Sequence, residues 1–345
     1  MSPTTRDDDV MPRPSPQGRH PAAQQQAHPA PVAVVLAGGL GTRMGSLSRN
    51  QPKHLLEVAG EPFLVHQLRW LAAHDVREVV LATSYLAERF QDLLGDGGQW
   101  GIRLRYATEV FPLGTAGGLV HAARLLAPGP DALVVVINGD LLTRHDLGRQ
   151  LALATPRQGA TRPAAVLHLR SVTDARAFGS VVADGEGRVT AFVEKSQDPP
   201  SLEVNAGTYV LRRSVIDAIP AGVASLETDV LPGLVAGGQV IAYREQALWE
   251  DVGTPDSLLR ASRSLVTASG RDAHIDASAL VDVSARVDAG SAVGPDAVIG
   301  RGATVTGSIV MRGATVQERA TLRDCVVGPR GNVAPGALLV DEVVL

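Results

Sequence analysis

From Ile275 onward the chain keeps a six-residue beat. Ile275, Val281, Val287, Val293, Ile299 and Val305 are aliphatic and six apart, and Ala279, Ala285, Ser291, Ala297 and Ala303 each stand four places after one of the first five. The period continues with slippage through Val310, Val316 and Leu322, then Val327, Val333 and Leu339. A sandwich strand alternates every two residues and has no use for a period of six. The hexads therefore predict a left-handed parallel β-helix, in which the aliphatic residue fills the interior of a prism and the small residue lets the chain turn.

Upstream the pattern is different. Val32 to Ala37, Glu78 to Ala82 and Leu133 to Ile137 read as buried strands, and Leu64, Leu68 and Leu71 mark a helix over 63–73. Strands alternating with helices predict an α/β fold with a Rossmann-like, mainly parallel sheet. Segments 164–169, 188–193, 208–211 and 240–243 read as an antiparallel extension, and 258–271 as a helix-rich linker. Residues 1–31 hold seven prolines, a Gln24–Gln26 tract and three consecutive acidic residues. That composition predicts a disordered tail without the apolar centre of a signal peptide. The expected division is a tail over 1–31, an α/β domain over 32–265 and a β-helix over 266–345.

A net charge of −4 gives no cationic field to recruit nucleic acid or an anionic membrane. No apolar run reaches the ~20 residues of a membrane span. Cys325 is the single cysteine, so no internal disulfide exists and a reducing, cytoplasmic setting is expected.

The chain has 32 basic residues, and all but Lys53 and Lys195 are arginine. Arg is a planar fork, whereas Lys is a compact point charge. A site that sets one charge between phosphate oxygens can require Lys. Lys53 follows a glycine-rich turn, Gly38-Gly39-Leu40-Gly41-Thr42-Arg43, at the end of the first strand. Glycines let backbone pass close to an anion and offer it N–H groups. The turn is neither a P-loop nor a GxGxxG fingerprint. Asn138-Gly139-Asp140 ends another strand, and in open α/β sheets ligands bind at the carboxyl ends of strands.

With its GGxGTR turn followed by Pro52-Lys53, the chain resembles the sugar-1-phosphate nucleotidylyltransferases, closest to their GDP-mannose and GDP-heptose branch through its PLGTAGG loop and LGDGGQWGI segment. The resemblance runs from Val32 to the end. It implies nucleotide contacts at Leu36, Gly38, Gly39, Gly41, Thr42, Arg43, Glu109, Gly114, Thr115, Ala116 and Gly117. It implies contacts to a sugar phosphate at Gly139, Gly179, Glu194, Lys195, Asn205 and Thr208, and a Mg²⁺ ion on Asp140 and Asp251. Arg43, Lys53 and Lys195 are the expected catalytic cations. The implied reaction is attack of a sugar 1-phosphate on the α-phosphate of a nucleoside triphosphate, favouring GTP and mannose 1-phosphate, with pyrophosphate leaving. Implied partners are these small molecules and further copies of the chain, as a dimer or tetramer.

Three positions depart from the family pattern. His54 stands where proline or a small residue is common, Glu61 where many members have lysine, and Ser196 where proline is usual. They leave open which ring is accepted, and a guanylyltransferase acting on a cyclitol 1-phosphate is the alternative. A catalytically silent subunit of the same fold would be expected to lose phosphate or metal residues, yet all five charged positions are present. Acyl transfer by the β-helix would need an internal base, and His274 lies at its edge.

Overall fold

The computed structural model describes residues 30–126, 129, 132–155 and 162–345. Most of the expected tail thus lies outside the described residues. Strand Val32–Ala37 is central to a nine-stranded sheet. It pairs in parallel with Glu78–Thr83 on one side and Leu133–Asn138 on the other. Arg103–Thr108 adds a further parallel strand outside Glu78–Thr83. Val32 and Val34 pack into one hydrophobic layer and Ala33 and Val35 into the other. Burial on both faces explains why the central strands read as continuous apolar runs.

Beyond Leu133–Asn138 the sheet turns antiparallel through Glu203–Arg212, which also pairs antiparallel with Ala165–Ser171. Val240–Arg244 then runs parallel to Ala165–Ser171, and Gly179–Ala183 forms a hairpin with Val189–Glu194. Glu203–Arg212 begins five residues before the expected strand. Its register shifts between Asn205 and Tyr209, which puts polar and glycine residues inside the ladder and breaks the apolar pattern.

Three sheets of parallel strands follow, from Ala273–Ile275 to Val343–Val344. Val293, Ile299, Val305, Val310, Val316, Leu322, Val327 and Val333 are buried inside the prism, as the hexads require. Val281, Val287 and Leu339 are half-buried against them, and Ile275 is exposed. It lies on an edge strand with one neighbour and is 46% exposed.

The slippage has a geometric cause. Leu280 pairs with Val298, eighteen residues on, but Thr304 pairs with Thr321, seventeen on. The first coil turns one corner with two left-handed residues, Ala289 (φ 53°) and Gly290 (φ 76°). Later coils turn it with Gly307 (φ 56°), Asp324 (φ 57°) and Asp341 (φ 57°). Asp and Gly are among the few residues that tolerate this conformation.

The helix Pro255–Ala268 joins the two parts. Proline in its first turn and a capping box between Thr254 and Ser257 start it three residues before the expected linker. Its Leu258, Leu259 and Ala261 share a core with Met44, Leu47, Leu56 and Val58, which flank the lysine-bearing turn, and with Ile309, Met311 and Val326 of the β-helix. Polar contacts cross the same boundary. Arg312 N donates to Glu57 Oε2 at 2.8 Å, and Arg263 Nε donates to the Gly307 carbonyl at 2.8 Å. Among the described residues no helix is long and apolar enough to cross a membrane.

Candidate active site

At the carboxyl ends of the central strands lies a cleft of about 510 Å³. Arg43, Asp140, Lys195 and Asp251 all line it. Lys53 reaches it from below, its Nζ 2.6 Å from Asp140 Oδ2 and its side chain 8% exposed. The four residues Lys53, Lys195, Asp140 and Asp251, brought from distant segments, thus meet at a single site.

The fold explains each placement. Asp140 stands just beyond the strand Leu133–Asn138, with only Gly139 between. A short ribbon pairs Leu141–Thr143 antiparallel with Trp249–Asp251, setting Asp251 opposite Leu141, while Val252 N donates to the Asp140 carbonyl at 2.8 Å. The two aspartates are therefore fixed relative to one another by backbone. Arg43 lies against Gly253, where an added Cβ would come 2.7 Å from Nη2. Lys195 follows the strand Val189–Glu194 with φ 46°, an unusual conformation for a lysine, and its N–H donates to the Phe178 carbonyl at 3.0 Å.

The electrostatics follow from this crowding. Burial pushes the Asp251 carboxyl above its ordinary range and the Asp140 charge adds to the effect, while Lys53, Arg43 and Lys195 pull it back. Burial also opposes ionisation of Asp140, but the adjacent Lys53 ammonium outweighs it and holds that carboxyl low. Asp251 Oδ1 is buried without a hydrogen-bond partner. Two carboxylates of which one keeps an orphaned oxygen form a hard, all-oxygen donor pair, the type that suits Mg²⁺. Among the described residues no group of three or more His, Cys, Asp or Glu could hold a metal, so the remaining ligands would come from substrate or water.

The glycine turn borders the same site. Gly41 (φ 65°) packs against the Lys53 side chain, and Gly39 has nothing within 4 Å of where a Cβ would stand. Thr42 is exposed beside Arg43, and Leu36 lies next to the last residue of the strand that leads into Gly38. Glu109 is buried next to Gly38 and accepts from Leu113 N at 3.0 Å. Gly114, Thr115, Gly179, Glu194 and Asn205 line the cleft.

Four expected contacts are placed elsewhere. Gly139 N donates to the Leu36 carbonyl at 2.8 Å, and a Cβ there would meet that oxygen at 2.7 Å, so this glycine serves close strand packing. Thr208 is fully buried, pairs with Ile137 and gives its carbonyl to Gln150. Ala116 N and Gly117 N both donate to the Ala224 carbonyl, and Gly117 makes room for Gly222, within a helix Gly114–Ala123 that its glycines disguised as a loop. Phe178 lines the cleft beside Gly179, and Glu227 and Trp249 line it without having been expected as its walls. The Trp249 indole donates to the Ala206 carbonyl at 2.9 Å, with Phe178 edge-on at 5.6 Å and Arg170 over its ring at 4.7 Å.

An open α/β sheet with a cationic, carboxylate-bearing cleft at its strand ends, joined to a hexapeptide β-helix, has the architecture of a nucleotide-sugar pyrophosphorylase. The comparisons with known proteins agree. A family model described as nucleotidyl transferase matches residues 32–268, and one described as the GMPPB C-terminal domain matches residues 270–345. The chain belongs to the nucleotidyl transferase family.

Mannose-1-phosphate guanylyltransferase of Mycobacterium tuberculosis is 43% identical over 237 residues, covering 68% of this chain and 64% of that protein. The mannose-1-phosphate guanylyltransferase catalytic subunit beta of Danio rerio is 32% identical, covering 66% and 62%. The chain thus aligns with somewhat under two thirds of the length of these relatives. Among solved structures, HddC from Yersinia pseudotuberculosis superposes with a TM-score of 0.58 at 28% identity, covering 68% of this chain and 99% of that one, and has also been solved in complex with GMP-PN.

Proposed function

We propose that this chain transfers a guanylyl group from GTP to mannose 1-phosphate, forming GDP-mannose and pyrophosphate. The observation that carries the reading is the meeting of Asp140, Asp251, Arg43, Lys53 and Lys195 at one cleft. A phosphate ester attacking a triphosphate brings several negative charges together, and catalysis of such a step is mostly positioning and charge stabilisation. In this reading Lys195 holds the sugar phosphate and reduces its repulsion from the nucleotide. Arg43 and Lys53 hold the departing pyrophosphate, and the open backbone at Gly39 lets the phosphates approach. Asp140 and Asp251 would hold Mg²⁺, which when bound polarises the α-phosphate and neutralises charge. The identity to guanylyltransferases supports GTP and mannose 1-phosphate as the pair.

A cyclitol 1-phosphate in place of the sugar is the second reading, left open by His54, Glu61 and Ser196. His54 is buried beside Lys53, and Glu61 pairs with Arg69 on the surface. Neither lines the cleft wall nearest Asn205, so both readings leave the phosphate chemistry unchanged.

The test is pyrophosphate release from a matrix of nucleoside triphosphates and phosphorylated sugars and cyclitols, with product mass as readout. Release with GTP and mannose 1-phosphate well above every other pair is expected. Release from a cyclitol pairing alone selects the second reading. No release from any pairing defeats both and favours a silent subunit. A homo-oligomer in a cytoplasmic setting completes the proposal, and sedimentation of the purified chain tests the assembly.

A further inference from the structure

Glu227 occupies the cleft without being needed for phosphate chemistry. It lies in a single π-helical stretch, Leu226–Val230, a local geometry found frequently at functional sites. Ser225 caps this stretch, its Oγ accepting from Glu227 N at 3.1 Å and from Thr228 N at 3.3 Å. The Glu227 carboxylate takes three further bonds. Its Oε2 accepts from Thr115 Oγ1 at 2.7 Å and Ser225 Oγ at 2.8 Å, and its Oε1 accepts from the Tyr209 hydroxyl at 2.9 Å.

The direction of this chain of bonds is forced. A tyrosine hydroxyl has one proton, and an ionised carboxylate can only accept. Tyr209 therefore gives its proton to Glu227 and turns a lone pair toward Asn205, whose Nδ2 donates to it at 2.8 Å. Asn205 Oδ1 accepts from Gly207 N at 3.1 Å. The amide is thus oriented from both ends. One N–H of Nδ2 is left over, on a residue that lines the cleft.

We propose that Tyr209 and Glu227 are positioning residues for ring recognition. They lock the Asn205 amide so that it presents an N–H, and the position selects a ring phosphate with a hydroxyl oxygen able to accept it. Through Thr115 the same carboxylate ties this contact to the segment on the nucleotide side of the cleft. Tyr209 itself is fully buried and does not line the cleft. The inference rests on reading the cleft as one that joins a nucleotide to a phosphorylated ring.

The experiment is a double-mutant cycle on the full chain with GTP and mannose 1-phosphate. Tyr209→Phe is expected to raise KM for mannose 1-phosphate about tenfold, the scale of one hydrogen bond to a buried group, with KM for GTP within about twofold. In an Asn205→Ala background the same change should add less than about twofold, because its effect runs through Asn205. Glu227→Gln should raise both KM values, since it also loosens Thr115. An unchanged KM in Tyr209→Phe, or an equal loss with and without Asn205, overturns the relay. If Tyr209→Phe does not fold, the cycle is run with Glu227→Gln against Asn205→Ala under the same criterion. Calorimetric titration of mannose 1-phosphate into each variant repeats the comparison without turnover. A wild-type protein that turns over no pairing therefore counts against the reaction, while the titration still decides the relay.

Discussion

Lys53 Nζ and Asp140 Oδ2 meet at 2.6 Å across 87 residues of sequence, on the floor of a cleft whose opposite carboxylate is Asp251. The lysine compensates a charge that burial would otherwise suppress, and it leaves Asp251 as the carboxylate with an unpaired oxygen.

Lys53→Arg should therefore lower turnover on the order of 100-fold while the melting temperature moves by a few degrees at most. The guanidinium keeps the charge, but its planar fork does not fit beside Gly41, which packs on the Lys53 stem. Asp140→Asn should lose activity on a similar scale. Pyrophosphate release and thermal melting of each variant check both. A near-normal rate in either removes that residue from the proposed mechanism.

Two glycine substitutions should separate activity from stability. Gly39→Ala meets no atom within 4 Å, so melting should be unchanged while activity falls if phosphates pass close to that backbone. Gly139→Ala drives a Cβ to 2.7 Å from the Leu36 carbonyl and should destabilise by roughly 1–3 kcal/mol, read from denaturant unfolding.

Acid should destabilise the α/β domain through a buried histidine pair. Burial lowers His145 to about 3, with His168 adding to the effect, and burial lowers His168 to about 4. Both depressed values mean that the unfolded chain takes up these protons near its ordinary 6.5 while the folded chain does not. Stability is fully present above about 6.5 and declines as the pH falls from there toward about 3. Melting temperatures between pH 7.5 and 4.5 should show this slope, and His145→Gln should reduce it.

Glu57→Ala should lower the melting temperature by a few degrees, because it leaves Arg312 N without its 2.8 Å acceptor at the boundary between the domains. Differential scanning calorimetry should resolve one transition in the wild type. Two well-separated transitions in the wild type would contradict a shared core.

The β-helix was legible because each hexad repeats one local constraint, so errors at single positions do not matter. The central strands were legible because burial on both faces leaves a plain apolar run. The helix Gly114–Ala123 was not, since three glycines within five residues argue against helix and only distant contacts, with Ala224, Gly222 and Glu109, explain them. Arg103–Thr108 carries two arginines and buries only Leu104 and Ala107, three apart, a weak pattern for an outer strand. The charged residues of the cleft stood out through lysine scarcity and ordered motifs. Glu227 had no such signal. Its meaning comes from Thr115 and Tyr209, 112 and 18 residues away, and pairing over such distances is not written locally.

The core that Leu47, Leu56 and Val58 share with Ile309, Met311 and Val326 makes the prism a foundation for the lysine-bearing segment. Exchange of the prism for an unrelated tail during evolution would strip these side chains bare, so the two modules are expected to be inherited as a pair and to change by matched substitutions across their seam.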